Sequence, residues 1–399
     1  MADNLRRHLG EVDRKRIIKV AFVLGLAELT SFNVYQVVSW VPRSLAQNDF
    51  RLYYGAAKVG LESGWSRIYD PDLQRAALPV GWSGSAEWFP YLNPPPLAWL
   101  VVPLTLLPAP VAYLPWVVLI TLCLMVSSQL LAPPGLLWRL LFGGVAAGFL
   151  PTFVALVYGQ PTPMIGLALV VACLLLERGR PIPAGVLVAA LALKPQVAIL
   201  VPIALLAARY GRAFSAWLVA SLVLAAISLL SLNVEGVRAY LALAAHFFGD
   251  PYFERWSLIP WLGSGWGWYL GVLAVVALTA IAGARGRQRP GAVVAAGILG
   301  SLLVNHYLTP ADFTILLVPI WLLLRESPRP WLIGWLAILW VAGWFSLADA
   351  PEIVAAELAT LVLLAAKVGL GQTSAGENRT VTPLSLGIVE GGIGAGHQS

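Results

Sequence analysis

The chain has 399 residues and a net charge of +6, with 59% hydrophobic but only 12% charged side chains. A soluble protein of that make-up would expose large apolar patches, so the composition excludes a water-soluble class and gives an all-α polytopic membrane protein. Its basic residues lie in short clusters between apolar runs, where they set topology and do not make a nucleic-acid surface.

Apolar segments predict spans at roughly 17–41, 110–132, 136–157, 160–177, 182–194, 196–208, 213–232, 266–284, 291–305, 311–324, 331–347 and 352–370. Several fall short of the ~20 residues that cross ~30 Å of hydrocarbon. The 29 prolines and 37 glycines fit helices that are kinked, short or re-entrant. With these spans, the cluster from Arg6 to Lys19, then Arg139, Arg178 and Arg180, Arg209 and Arg212, Arg285 to Arg289, Arg325 and Arg329, and Lys367 share one side. The positive-inside rule makes that side cytoplasmic. The run 97–107, bounded by prolines, reaches only about 16 Å as a helix. It is read as re-entrant, because a crossing there would give thirteen spans and turn every later basic cluster outward. The first span reads as a signal anchor. Residues 1–370 are expected to form one transmembrane catalytic domain, followed by a disordered cytoplasmic tail over 371–399. Two long outer loops result, 42–109 and 233–265, and chemistry is expected there.

The first loop carries Asn48-Asp49-Phe50-x-x-Tyr53-x-x-Ala56, then Ile68-Tyr69-Asp70, then Tyr91-Leu92-Asn93-Pro94-Pro95-Pro96-Leu97. Further on come Gly159-Gln160, Arg178-Gly179-Arg180-Pro181, Ala192-Leu193-Lys194-Pro195-Gln196, Asn305-His306-Tyr307 and Asp312-Phe313. In this order, over about 40–325, they resemble glycosyltransferase family 87, with departures at Pro163 and Ala311. The resemblance implies a GT-C membrane bundle, here of about 12 transmembrane helices with amphipathic and re-entrant helices in its long first outer loop. It also implies transfer of a hexosyl group, mannose above all, from a polyprenyl-phosphate-sugar donor to a lipid-linked or glycan acceptor. The setting would be the outer face of a bacterial inner membrane, among its lipids. A secondary transporter or flippase is the alternative, since broken helices also suit alternating access, although no repeated halves are visible.

Glycosyl transfer from a phosphate leaving group asks for one base to take the acceptor proton. Asp49 is the candidate; the plainer alternative is that it caps the amphipathic helix that follows. The departing phosphate needs cations or donors, and Lys194, Arg255, His306 and Arg51 are the candidates, with snorkelling to the headgroups the plainer account of Lys194. Tyr53, Tyr69, Asn93, Gln160 and Asp312 supply neutral or polar contacts for the sugars. No metal site or cofactor is expected: the four histidines are scattered and Cys123 and Cys173 lie inside apolar runs. Asp70-Pro71-Asp72 reads as a turn start before it reads as a cation site. Glu28, within the first span, should face the bundle interior or pair with a polar neighbour.

Overall fold

Proline sets where the helices begin. The computed structural model describes residues 23–41, 48–79, 89–247, 251–263, 265–326, 329–348 and 351–367, and among these every element is helical. A helix α1 occupies 23–41, followed by α2 (Phe50–Glu62), α3 (Pro71–Ala76) and α4 (Pro95–Val101). Then come α5 (Ala109–Leu131), α6 (Leu136–Ala147), α7 (Leu150–Tyr158), α8 (Thr162–Glu177), α9 (Pro181–Val188) and α10 (Val201–Ala207). The chain continues with α11 (Gly211–Phe247), α12 (Pro251–Glu254), α13 (Ile259–Leu262), α14 (Trp266–Arg285), α15 (Pro290–Leu303), α16 (Leu317–Arg325), α17 (Pro330–Trp344) and α18 (Pro351–Ala365). Pro71, Pro95, Pro181, Pro290 and Pro330 each stand at the first helical position, where a missing N–H costs nothing. Many of the prolines are therefore starters, while Pro115 lies inside α5.

Four helices among the described residues are long and apolar enough to cross a membrane alone: Ala109–Leu131, Gly211–Phe247, Trp266–Arg285 and Pro330–Leu347. The expected span at 136–157 is two helices, α6 and α7, bent by 64° at Gly148-Phe149, and counting that pair as one span gives five. The first expected span is represented by α1 over 23–41, and the rest are shorter pieces. Helix α9 runs into a 3-10 turn, Ala189–Leu193, and another 3-10 turn, Pro310–Leu316, leads into α16. The 97–107 run is α4 followed by a 3-10 turn, Val102–Leu106, and belongs with these shorter apolar pieces. The second long loop does not begin where hydropathy falls: α11 continues to Phe247 through a break at Asn233, whose φ is 51°.

Two large apolar cores and a small third cluster of Val154, Ala155 and Ala311 result among the described residues. The larger gathers α8, α10, α14, α16 and α18 around α15, which is buried from Gly291 to Leu303. Small residues allow this, since Gly297 lies against the Val201 backbone and Gly283 against that of Ala204. The smaller core is aromatic: Phe50, Tyr53, Tyr54, Tyr69, Tyr91, Tyr113 and Trp116 join α2 and α4 to α5. Helix α1 leans on α6, with Asn33 Nδ2 donating to the Ala147 carbonyl at 2.9 Å. Glu28 departs from expectation and faces outward, because the polar side of α1 that meets α6 is built by Thr30 and Asn33 instead. The basic cluster from Arg6 to Lys19 and the tail over 371–399 lie outside the described residues.

Candidate active site

The site starts at the end of a short helix. Four of α7's last carbonyls would be orphaned, and the chain satisfies each. Gly159, with φ of 72°, closes α7 with two reversed bonds, Gln160 N–H to the Ala155 carbonyl at 2.8 Å and Gly159 N–H to that of Leu156 at 3.3 Å. Tyr113 Oη donates to Leu156 and Val157, and Trp116 Nε1 donates to Gly159 at 2.7 Å. The Tyr158 carbonyl is taken by the backbone N–H of Asp49 at 2.9 Å. Asp49 is thereby clasped onto the helix end that also projects Gln160.

At the start of α2 the two plausible caps divide the work. Asn48 Oδ1 accepts from the Arg51 N–H at 3.1 Å, whereas the Asp49 side chain makes no capping bond. Its carboxylate turns instead to Gln160, whose Nε2 donates to Asp49 Oδ2. The capping account of Asp49 thus fails, because Asn48 fills that role. The amide's other end is equally occupied: Gln160 Oε1 accepts from Lys194 Nζ at 2.7 Å and from Tyr53 Oη at 3.2 Å. Two partners fix the amide orientation, so Gln160 can present only N–H to Asp49.

Lys194 sits between the 3-10 turns Ala189–Leu193 and Pro195–Val197, in extended backbone with φ −157°. It is 3% exposed and pairs with Asp312, itself 0% exposed, at 2.5 Å. Asp312 is saturated. Its Oδ1 also accepts from Thr162 Oγ1 at 3.2 Å, and its Oδ2 from Thr309 N–H and Oγ1 at 2.9 and 3.0 Å, closing a capping box on Pro310–Leu316. Asp312 therefore anchors Lys194. The ammonium has three donors and two are taken, which leaves one for a ligand.

Burial raises the Asp49 carboxyl to about 6, against an ordinary 3.8; the charges of Lys194 and Arg51 and the Gln160 hydrogen bond hold it from going higher. A carboxylate titrating near 6 suits proton abstraction near neutral pH. Arg51 is 6% exposed and lies close enough to Asp49 to stabilise its negative form.

The other expected residues form contacts of their own beside this cluster. His306 Nδ1 lies 3.1 Å from Glu254 Oε1, with the imidazole edge-on to Trp268 at 4.5 Å. Arg255 lies over the Trp256 ring at 4.4 Å. The two segments are neighbours, since Tyr307 stacks on Phe253 at 4.2 Å. Tyr69 donates to the Asn93 carbonyl at 2.9 Å, so Asn93 contributes backbone here, and its ring stacks on Tyr91, which meets Tyr53 edge-on. Asp70 caps α3, accepting from Asp72 and Leu73 N–H, and pairs with Arg67 at 2.9 Å. Sequence reasoning missed Asn48, Thr162, Thr309 and Glu254. Of these, Thr309-Pro310-Ala311-Asp312 carried a readable capping pattern, while the others are joined to their partners only in space.

The model of glycosyltransferase family 87 matches residues 91–310, more than half of the chain. Asn93, Gln160, Lys194, Arg255 and His306 fall within the match, and Asp49, Arg51, Tyr53, Tyr69 and Asp312 lie outside it. Neither the curated proteins nor the solved structures that were compared contain a match. A helical bundle with membrane-length apolar helices, together with this match, makes the chain a member of glycosyltransferase family 87, a family of membrane glycosyltransferases.

Proposed function

We propose that the protein moves a hexosyl group, mannose first among candidates, from a polyprenyl-phosphate-sugar donor to a hydroxyl of a lipid-linked or glycan acceptor. The reaction takes place at the extracytoplasmic face of a bacterial plasma membrane. In this reading residues 1–370 form one catalytic domain, the short helices combine into about twelve spans, and the 97–107 run is re-entrant.

Asp49 takes the proton of the acceptor hydroxyl as that oxygen bonds to the anomeric carbon. The bond from that carbon to the phosphate oxygen breaks on the opposite side, and its electron pair leaves with the lipid phosphate. Attack opposite the leaving group inverts the anomeric centre. Lys194 and Arg51 stabilise charge developing on the phosphate, with Arg255 and His306 at the neighbouring segment. Tyr53, Gln160, Tyr69 and Asn93 line the approach of the sugars, and Asp312 keeps Lys194 in place.

The observation that carries this reading is the Asp49 carboxylate, released from capping and held by an amide whose orientation Lys194 and Tyr53 fix. Its test is transfer of labelled sugar from synthetic polyprenyl-phosphate-mannose and polyprenyl-phosphate-glucose to a membrane lipid extract by the purified chain. Product from either donor supports the reading and names the sugar, and product from neither contradicts it. No observation favours the transporter.

A further inference from the structure

A cleft of about 530 Å³ lies outside the Asp49 cluster. Ser66, Arg67, Tyr69 and Asp70 line one wall, and Glu235 and His246 stand on the facing wall contributed by α11. The sequence builds it deliberately. At Asn233 the left-handed backbone breaks α11, and Asn233 Oδ1 then accepts from Glu235 N–H at 2.8 Å and Gly236 N–H at 3.4 Å, restarting the helix in a new direction. Gly236 lets the restarted segment touch the 3-10 turn Trp65–Arg67: a Cβ there would stand 2.8 Å from the Ser66 carbonyl oxygen. That close approach puts the Glu235 carboxylate opposite Arg67.

The lining decides what chemistry fits. Arg67 and Asp70 neutralise each other at 2.9 Å, and Asp70 is further occupied by capping α3, so Glu235 leaves the cleft net negative. A phosphate would be repelled there. A neutral polyhydroxyl ligand would not: Glu235 accepts from hydroxyls, Arg67 donates to them, and the partly exposed Ala239 and Leu243 offer apolar surface to ring faces. The volume suits a small oligosaccharide, since ligand pockets run from about 300 to 1,000 Å³. A row of packed rings separates the cleft from the site and ties the two together. Tyr69 stacks on Tyr91 at 5.8 Å, Tyr91 meets Tyr53 at 6.3 Å, and Tyr53 bonds Gln160 beside Asp49.

We infer that this cleft holds the neutral glycan part of the acceptor, at a distance from the hydroxyl that reacts. The inference rests on the transferase reading above, and it assigns the acceptor to the wall between Arg67 and Glu235. The donor phosphate belongs at the basic groups near Asp49.

The test is saturation-transfer NMR of mannotriose titrated onto the detergent-solubilised full chain, with glycerol phosphate as the anionic probe. Mannotriose should bind the wild type and Asp49→Asn alike. Glu235→Gln, which removes charge-assisted acceptors, and Ala242→Trp, which fills the cleft from an exposed position, should each weaken it about tenfold. Circular dichroism confirms that both fold. Absent mannotriose binding, or binding that neither substitution weakens, overturns the inference. So does glycerol phosphate binding that Glu235→Gln strengthens, which would mark an anion site. These readouts do not involve transfer, so a chain that transfers sugar but fails here loses only the acceptor cleft, and one that binds mannotriose here without transferring sugar loses the transferase reading.

Discussion

Replacing Lys194 with methionine should destabilise the protein far more than removing a surface lysine, because of what it leaves behind. The substitution keeps most of the stem's volume but strips the cation from Asp312, 0% exposed, whose Oδ1 lies 2.5 Å from Nζ. Thr162 and Thr309 still donate, yet hydroxyls and one amide do not neutralise a carboxylate. Breaking a buried pair from one side costs about 3–5 kcal/mol, against about 0–1 kcal/mol for an exposed pair. Adding Asp312→Asn removes the stranded charge and should recover most of the loss. Thermal unfolding in detergent, followed by tryptophan fluorescence, should therefore rank wild type and the double variant together and Lys194→Met well below, with both variants inactive in transfer. A single variant as stable as wild type would mean that Lys194 merely snorkels, and a double variant no better than the single would refute the pairing.

Three further outcomes are expected. Transfer rate should rise with pH through about 6 and then level, because the raised Asp49 carboxyl works only when ionised; between pH 7 and 5 the fall should be about tenfold, and a flat acidic limb in the rate profile would argue against a carboxylate base. Gly159→Ala forces a Cβ into φ of 72° and to 3.0 Å from Tyr113, so about 1–3 kcal/mol of strain should lower both the unfolding midpoint and the transfer rate. His306→Ala should raise the KM for the polyprenyl-phosphate donor about tenfold with a smaller effect on kcat, and Glu254→Gln should follow in the same direction, since Glu254 holds the imidazole at 3.1 Å; an unchanged donor KM would remove His306 from the phosphate site.

Much of this was readable in one dimension. Apolar content gave the helical membrane class, and the ordered motifs brought Asp49, Gln160, Lys194 and Asp312 into view before any contact was known. The roles within the cluster were less accessible. Asn48 and Asp49 are both good caps by type, and only the backbone at the start of α2 decides that Asn48 caps while Asp49 turns away. Lys194 resembles a free cation in sequence because its partner is more than a hundred residues distant. Hydropathy also smooths over breaks: the 64° bend between α6 and α7 and the Asn233 break in α11 are backbone events within continuous apolar or helical runs.

The most direct test of the central claim is transfer of labelled sugar from the active polyprenyl-phosphate donor by wild type and by Asp49→Asn at pH 7.5. The substitution keeps size and a hydrogen-bonding partner for Gln160 but removes the proton acceptor. The account predicts product from the wild type and a loss of two or more orders of magnitude (~100-fold) in the variant, with folding and donor binding retained. Equal transfer by both proteins would contradict it, because the base would then have to be another group.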